Sequence, residues 1–281
     1  MQALETRRSI RSFSGNPLTD GERAIIADAI SDTGSMPFST HPRFVLVVPD
    51  EPGGQASGRI GTYGVIKNAP AYIAGAVRPG QFAFADFGYA FEGIMLAAVS
   101  GGLGTCWLGG TFDRAGVVKT LQPASDEIVP AISPVGEPSE RRTFADSAIR
   151  AIAGSRNRKP WDKLFFNGAF GHPLPASAAG PWAAALEAVR QGPSASNKQP
   201  WRIVMTGAAV SPEFHLFLDE DALYNNAIQG VRLQEMDIGI AMRHFEVAAR
   251  VGKLPGSWGR LAEVPVSFGK PMIYYSSWME H

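Results

Sequence analysis

DFGYAFEGIMLAAVSGGLGTCW, residues 86–107, returns at residues 237–258 as DIGIAMRHFEVAARVGKLPGSW. At the constant offset between these stretches, eight of the 22 positions are identical: Asp86/Asp237, Gly88/Gly239, Ala90/Ala241, Ala97/Ala248, Ala98/Ala249, Gly101/Gly252, Leu103/Leu254 and Trp107/Trp258. Average residue usage would give about one or two matches. In the first copy Phe84, Phe87, Phe91, Ile94, Met95 and Ala98 recur at three- and four-residue steps, which predicts a long helix with a wide apolar stripe. Gly101-Gly102 ends it. Each copy precedes a strand containing Val-Pro (Val129-Pro130, Val264-Pro265), and PRFVLVV at 42 matches PWRIVMT at 200. The chain therefore reads as two copies of one unit forming an internal pseudo-dimer, 1–160 and 161–281; two copies are too few for a solenoid.

Between these anchors the elements are those of an α+β chain. Thr19 with Glu22 matches a capping box, so 20–32 reads as an amphipathic helix. The runs 42–48 and 69–77 read as strands buried on two faces, and 128–136 as another strand. A further helix is expected near 143–153. The 281 residues are 45% hydrophobic, and Lys plus Arg equals Asp plus Glu at 26 each, so no global field argues for nucleic acid. A lone Cys106 excludes an internal disulfide and fits a reducing compartment. With no signal-like N-terminus and no apolar run of the ~18 residues that span a bilayer, a soluble cytoplasmic protein is expected.

The copies have diverged in complementary ways. RRSIRSF at 7–13 puts Arg7, Arg8, Ser9 and Arg11 close together; at helical spacing this is a phosphate grip, or a solvated basic face at a chain end. The second copy has lost those arginines. It carries PSASNKQPW at 193–201, where Ser194, Ser196 and Asn197 can bond local backbone and Pro200 fixes entry into a strand. The first copy has only PFSTHPRF there. GLGTCWLGG at 102–110 lacks the spacing of a dinucleotide fingerprint, because position 107 is Trp; its glycines would let backbone N–H groups approach a ligand. The five histidines show no metal-ligand spacing, no metal is expected, and Cys106 reads as a small buried residue.

Taken in order, RRSIRSF, KNAPAYI at 67–73, the helix ending in GLGTCWLGG, PVGEP at 134–138, RNRKPWDKLFF and PSASNKQPW resemble the nitroreductase superfamily of FMN-dependent oxidoreductases, in its single-chain branch with both half-units fused. The resemblance implies a nitroreductase-like fold with mixed, mainly antiparallel sheets, flanking helices, and two long helices near 82–102 and 234–252 packed centrally. It implies one composite FMN site per chain. Arg7 and Ser9 would grip the phosphate, with Arg8 and Arg11 nearby. Arg156 and Arg158 match a late basic pair that would face the phosphate too, and Arg141 with Arg142 is a second candidate pair. Leu108, Gly109 and Gly110 would pass the reactive edge of the ring, the Gly109 N–H bonding the nitrogen that accepts hydride. Pro193, Ser194, Ala195, Ser196 and Asn197 would cover its polar end. Relatives often carry Asn or Lys before the KNAP-like strand; here Gly61-Thr-Tyr-Gly64 leaves Thr62 or Tyr63 to substitute.

The flavin would do the redox chemistry, so no catalytic acid or base is nominated. The implied activity is NAD(P)H-driven, ping-pong reduction of a nitroaromatic, quinone or similar electron-poor small molecule. Two alternatives stand beside it. One is a flavin storage or sensing module, favoured if the tail GKPMIYYSSWMEH folds over the ring. The other is a related enzyme doing dehalogenation, heterocycle oxidation or flavin fragmentation. Residues 219–233 are a candidate wall of the acceptor pocket, or an ordinary loop. No nucleic acid or membrane partner is expected, and an internal dimer interface allows a monomer.

Overall fold

The computed structural model describes residues 1–49, 61–139, 157–208, 211–228 and 230–280. Beyond its first five residues the chain divides into two compact units, Thr6–Ala153 and Gly154–His281; Ala3–Glu5 group with the second. The helix expected near 143–153 lies outside the described residues.

The short helix α1 spans Gln2–Thr6. The helical spacing read across 3–13 stops there. Residues 9–13 are extended: Ser9 pairs in parallel with Thr105, Ser12 with Lys67, and Phe13 pairs antiparallel with Pro138. The Ile10 N–H donates to Thr105 O at 2.8 Å and Lys67 N–H to Arg11 O at 2.8 Å. These neighbours satisfy the backbone that a helix would have satisfied internally. Gly104 makes the approach feasible, because a Cβ there would stand 2.8 Å from the Ile10 side chain.

Helix α2, Asp20–Ser31, begins with the capping box read from Thr19 and Glu22. Strands β1 (Arg43–Val47) and β2 (Ala71–Ala76) follow, then α3 (Ala83–Ser100), β3 (Gly104–Thr105), α4 (Arg114–Leu121) and β4 (Ile132–Gly136). The sheet runs β1-β2-β4-β3, all antiparallel. β2 is buried throughout, as expected of a strand covered on both faces. β1 is not: only Phe44 and Val47 are buried, because it is the sheet's edge. α3 is apolar and long enough to span a bilayer, but 78% of it is buried inside protein. Its Phe87 and Phe91 rings lie 5.2 and 5.4 Å from Phe44, and Trp107 meets Phe91 edge-on at 4.8 Å. Such pairs contribute about 0.5–1.5 kcal/mol beyond the area they bury.

The second unit repeats this plan. β5 (Phe165–Asn167) precedes α5 (Ala183–Gln191), β6 (Trp201–Ala208), β7 (Ser211–Asp219), α6 (Ala222–Asn225), α7 (Leu233–Val251), β8 (Ser257–Gly259) and β9 (Met272–Met279). The sheet order is β5-β6-β7-β9-β8. With β6, β7, β9 and β8 standing for β1, β2, β4 and β3, the two sheets share one order, and α5 and α7 stand for α2 and α3. The parallel β5 is the addition. The C-terminal tail, weighed from sequence as a cover in the storage alternative, forms β9, a strand between β7 and β8 with its centre buried. Within this unit Phe245 gathers Trp182, Phe214, Trp258 and Trp278 at 5.2–5.8 Å.

His215 in β7 is fully buried. Thr206 Oγ1 meets its Nε2 and Ser277 Oγ its Nδ1, each at 2.7 Å, so a neutral ring is satisfied on both sides. Burial lowers its pKa from 6.5 to about 4. The unfolded chain then takes up a proton below pH 6.5 that the native state refuses until about pH 4. This contribution is whole above pH 6.5 and drains away as pH falls, by about 2 kcal/mol once a Glu213 carboxylate 3.6 Å away is allowed for. Urea melts at pH 7 and pH 4.5 should show that loss in the wild type and a shallower one in His215→Asn.

Candidate functional site

The first unit holds an anion grip and a glycine loop. In the extended stretch 9–13 alternate side chains share a side, so Ser9 and Arg11 stand together. Their surroundings agree. Burial raises the Cys106 thiol pKa, while Arg11, a hydrogen bond from Ser9, and Arg7 all act to lower it, which puts the three near that thiol. Arg8 is exposed. Among the described residues, Arg11 Nη1 and the hydroxyl of Thr105 are buried with no hydrogen-bond partner. A buried donor left in this state costs about 1–3 kcal/mol, which an anionic ligand would recover. Arg7 is already engaged: its Nε lies 3.7 Å from Glu92 Oε1, and Glu92 Oε2 accepts from Trp107 Nε1 at 2.7 Å. Glu92, fully buried in α3, was missed; a carboxylate in so apolar a helix is the signal that could have found it.

The glycine loop leaves β3 at Cys106. Leu108 exchanges two backbone hydrogen bonds with Ile132, at 2.9 and 3.0 Å. Gly109 is half-buried and Gly110 exposed. Among the described residues neither N–H donates a hydrogen bond. Arg114, at the start of α4, holds the loop from behind through Gly109 O. Of the two stand-ins before the KNAP-like strand, Thr62 is buried and Tyr63 is exposed at a positive φ of 48°.

The second unit holds the polar loop at 193–201. Ser196, Asn197 and Gln199 all have positive φ, at 46°, 55° and 47°. Each costs a non-glycine residue ~1–2 kcal/mol, so the surroundings must impose the shape. Ser194 Oγ accepts from Gln199 N at 2.9 Å. Asn197 Oδ1 accepts from Arg158 Nη1 at 2.9 Å, and its Nδ2 donates to Asn157 O at 2.7 Å. Arg158 Nη2 also reaches Gln191 O at 2.9 Å, so Arg158 braces the asparagine loop. Gln199 Oε1 accepts from Lys159 N at 2.7 Å. Arg156, Arg141 and Arg142 lie outside the described residues. In the segment 219–233, α6 presents Tyr224, whose hydroxyl donates to Ser196 Oγ at 2.7 Å.

The loop is tied to α7 through Asp237, whose Oδ1 accepts from Ala195 N at 2.9 Å. Its Oδ2 is buried without a partner among the described residues. Burial raises this carboxyl to about 8. The twin Asp86 is better served: it accepts from Phe38 N at 3.0 Å and from the N–H and hydroxyl of Thr40 at 2.8 Å each. Both aspartates therefore hold the loop before equivalent strands, β1 and β6. The Asp86/Asp237 identity was visible in the sequence, but its role was not read.

Two units with one sheet order, each with a long helix holding a loop through an aspartate, define a duplicated nitroreductase-like α+β protein. Residues 1–249 match the model of the family described as "Putative TM nitroreductase", and the chain belongs to that family. A structure from Thermotoga maritima described as a "putative nitroreductase" is similar over 99% of this chain and 90% of its own, at 20% identity and a TM-score of 0.60. An "FMN-dependent Nitroreductase" from Clostridium difficile is 22% identical over 51% of this chain and 92% of its own, at a TM-score of 0.40. A nitroreductase "with Bound FMN" from Bacteroides fragilis is 22% identical over 51% and 90%, also at 0.40. No curated protein sequence matches the chain.

Proposed function

We propose that this chain is an FMN-dependent oxidoreductase that binds one FMN and, driven by NAD(P)H, reduces an electron-poor small molecule such as a nitroaromatic or quinone by a ping-pong sequence. The observation that carries it is the register of residues 9–13, which sets Ser9 and Arg11 on one side, near the Cys106 on which Arg7 also acts, with buried donors unspent. That donor set fits a phosphate monoester. Arg11 and Ser9 bind the phosphate, and Arg7 supports them while sharing its charge with Glu92. The free N–H groups of Gly109 and Gly110 suit the heteroatom edge of a flavin ring, and the loop at 193–197 supplies polar cover. When bound, FMN supplies the redox chemistry, accepting hydride from a nicotinamide and passing it to the acceptor.

Relatives with bound FMN support the choice of cofactor. β9 is built into the second sheet with its centre buried, which favours turnover over storage. Tyr224, beside Ser196, is the residue of the segment 219–233 best placed to meet an acceptor. The two half-units, 1–160 and 161–281, act as an internal pseudo-dimer, so a monomer in the cytoplasm suffices. Absorbance between about 300 and 550 nm, with FMN released on denaturation counted per chain, tests the reading. A yellow protein with one FMN per chain is expected. Two per chain would restore the site we regard as lost, and a chain that refuses added FMN has another function.

A further inference from the structure

Arg114 has an environment that no part of the binding site described so far requires. Its Nη2 donates to Gly109 O and, at 3.2 Å, to Pro130 O; its Nε donates to Val129 O at 3.3 Å. Its guanidinium carbon stands 4.7 Å over the Phe112 ring. Among the described residues no carboxylate pairs with it, so a half-buried cation is held by three carbonyl dipoles and a ring face. It is also the first residue of α4, where the helix dipole opposes a positive charge. Burial accordingly pulls its pKa down. Two unfavourable features at one residue need a compensating use, and one of the three carbonyls it holds belongs to the glycine loop.

We propose that Arg114 is a positioning residue for the flavin: it fixes the Gly109–Gly110 peptide and strengthens its N–H as a hydrogen-bond donor. Amide resonance couples the two ends of that peptide. A cation on Gly109 O draws electron density from the Gly110 nitrogen, so the Gly110 N–H becomes a better donor, as in any hydrogen-bonded chain. Gly110 is exposed and its N–H is unspent among the described residues, so this donor, in place of the Gly109 N–H that the resemblance implied, is the one that meets the hydride-accepting nitrogen. The anchor is two-sided, because Leu108 is tied to Ile132 while Arg114 ties Gly109 to residues 129 and 130. The planar fork of arginine reaches carbonyls in two directions, which lysine cannot do.

The inference rests on the proposed FMN site, and its test separates the two. The full chain is titrated with FMN labelled with nitrogen-15 at the hydride-accepting ring nitrogen. In Arg114→Gln, affinity should fall roughly tenfold, ~1.4 kcal/mol, and the labelled resonance should move downfield as its hydrogen bond weakens. Arg114→Lys, which keeps the charge and is the gentler change for folding, should show the same downfield shift. Lys119→Gln, on the same helix, should match the wild type. A loop tie with no electronic role would lower affinity in both Arg114 variants and leave the resonance of bound FMN in place, which overturns the proposal. If the wild type binds no FMN, the functional reading fails instead. The clamp is then judged by amide exchange in the ligand-free chain: about tenfold faster exchange at Leu108, whose N–H is protected by Ile132 O, in Arg114→Gln upholds it, and unchanged exchange refutes it.

Discussion

Asp237→Asn is expected to stabilise the protein at pH 7 by about 3 kcal/mol and to leave it unchanged near pH 4. The carboxyl is held at about 8 in the folded chain against 3.8 ordinarily. Between those values the native state keeps a proton that the unfolded chain has released. Stability therefore declines as pH rises through that window, by up to ~1.4 kcal/mol per unit, less whatever the surroundings recover by relaxing. Asparagine copies the protonated acid. Its Oδ1 can still accept from Ala195 N–H, and it has no charge to desolvate. Urea melts of both proteins at pH 4, 6 and 8 should coincide at the first and diverge at the last. Parallel curves, or a weaker variant at pH 8, would show that Asp237 is ionised in the fold. Its twin in α3 supplies the contrast. With three donors on Asp86, the loop at 38–40 is a closed structural turn. One oxygen of Asp237 lacks any donor among the described residues. An aspartate kept there at the expense of stability serves the shape of the loop at 193–199, not the firmness of the core.

The duplication was legible because long helices write their period strongly. The stripe of phenylalanines on α3, its glycine stop and the eight identities with α7 leave few other readings. The capping box at Thr19 was legible because it is local chemistry. Three features were not. The N-terminal segment has helical spacing up to Arg11, yet residues 9–13 are extended, because their partners, Lys67, Thr105 and Pro138, are remote in sequence. Local pattern cannot weigh a pairing decided at such a distance. The exposure of β1 depends on its place at the sheet edge, and runs of apolar residues do not encode strand order. The tail at 269–281 is rich in Tyr and Trp, which suited a lid; it is instead β9, paired with β7 on one side and β8 on the other, partners that composition does not name. In the candidate site, the residues nominated from sequence are those of the loops themselves, and their braces were not read. Arg114, Asp237 and Gln199 act on backbone atoms of other segments, and nothing in their own sequence neighbourhood announces it.

Arg11→Ala should weaken FMN binding by about 100-fold, whereas Arg8→Ala should change it less than about threefold. The two residues are equals on composition and, on a helix, would be near neighbours three apart. The structure separates them. Arg11 and Ser9 act on the buried Cys106, and Arg8 stands in solvent. A charge-assisted hydrogen bond to phosphate is worth ~1.5–3 kcal/mol, and Arg11 has a buried nitrogen free to make one. An exposed guanidinium acts only through a screened field, worth a few tenths of a kcal/mol, and its small effect should vanish on raising the salt. Arg7→Ala should fall between them in affinity but cost more stability, because it takes a cation from beside the buried Glu92 carboxylate. Fluorescence titrations of the three variants at low and high salt decide the order. Equal losses at Arg8 and Arg11 would mean a grip built on a helical face, and the parallel pairing of Ser9 with Thr105 would then not be the arrangement that binds the phosphate.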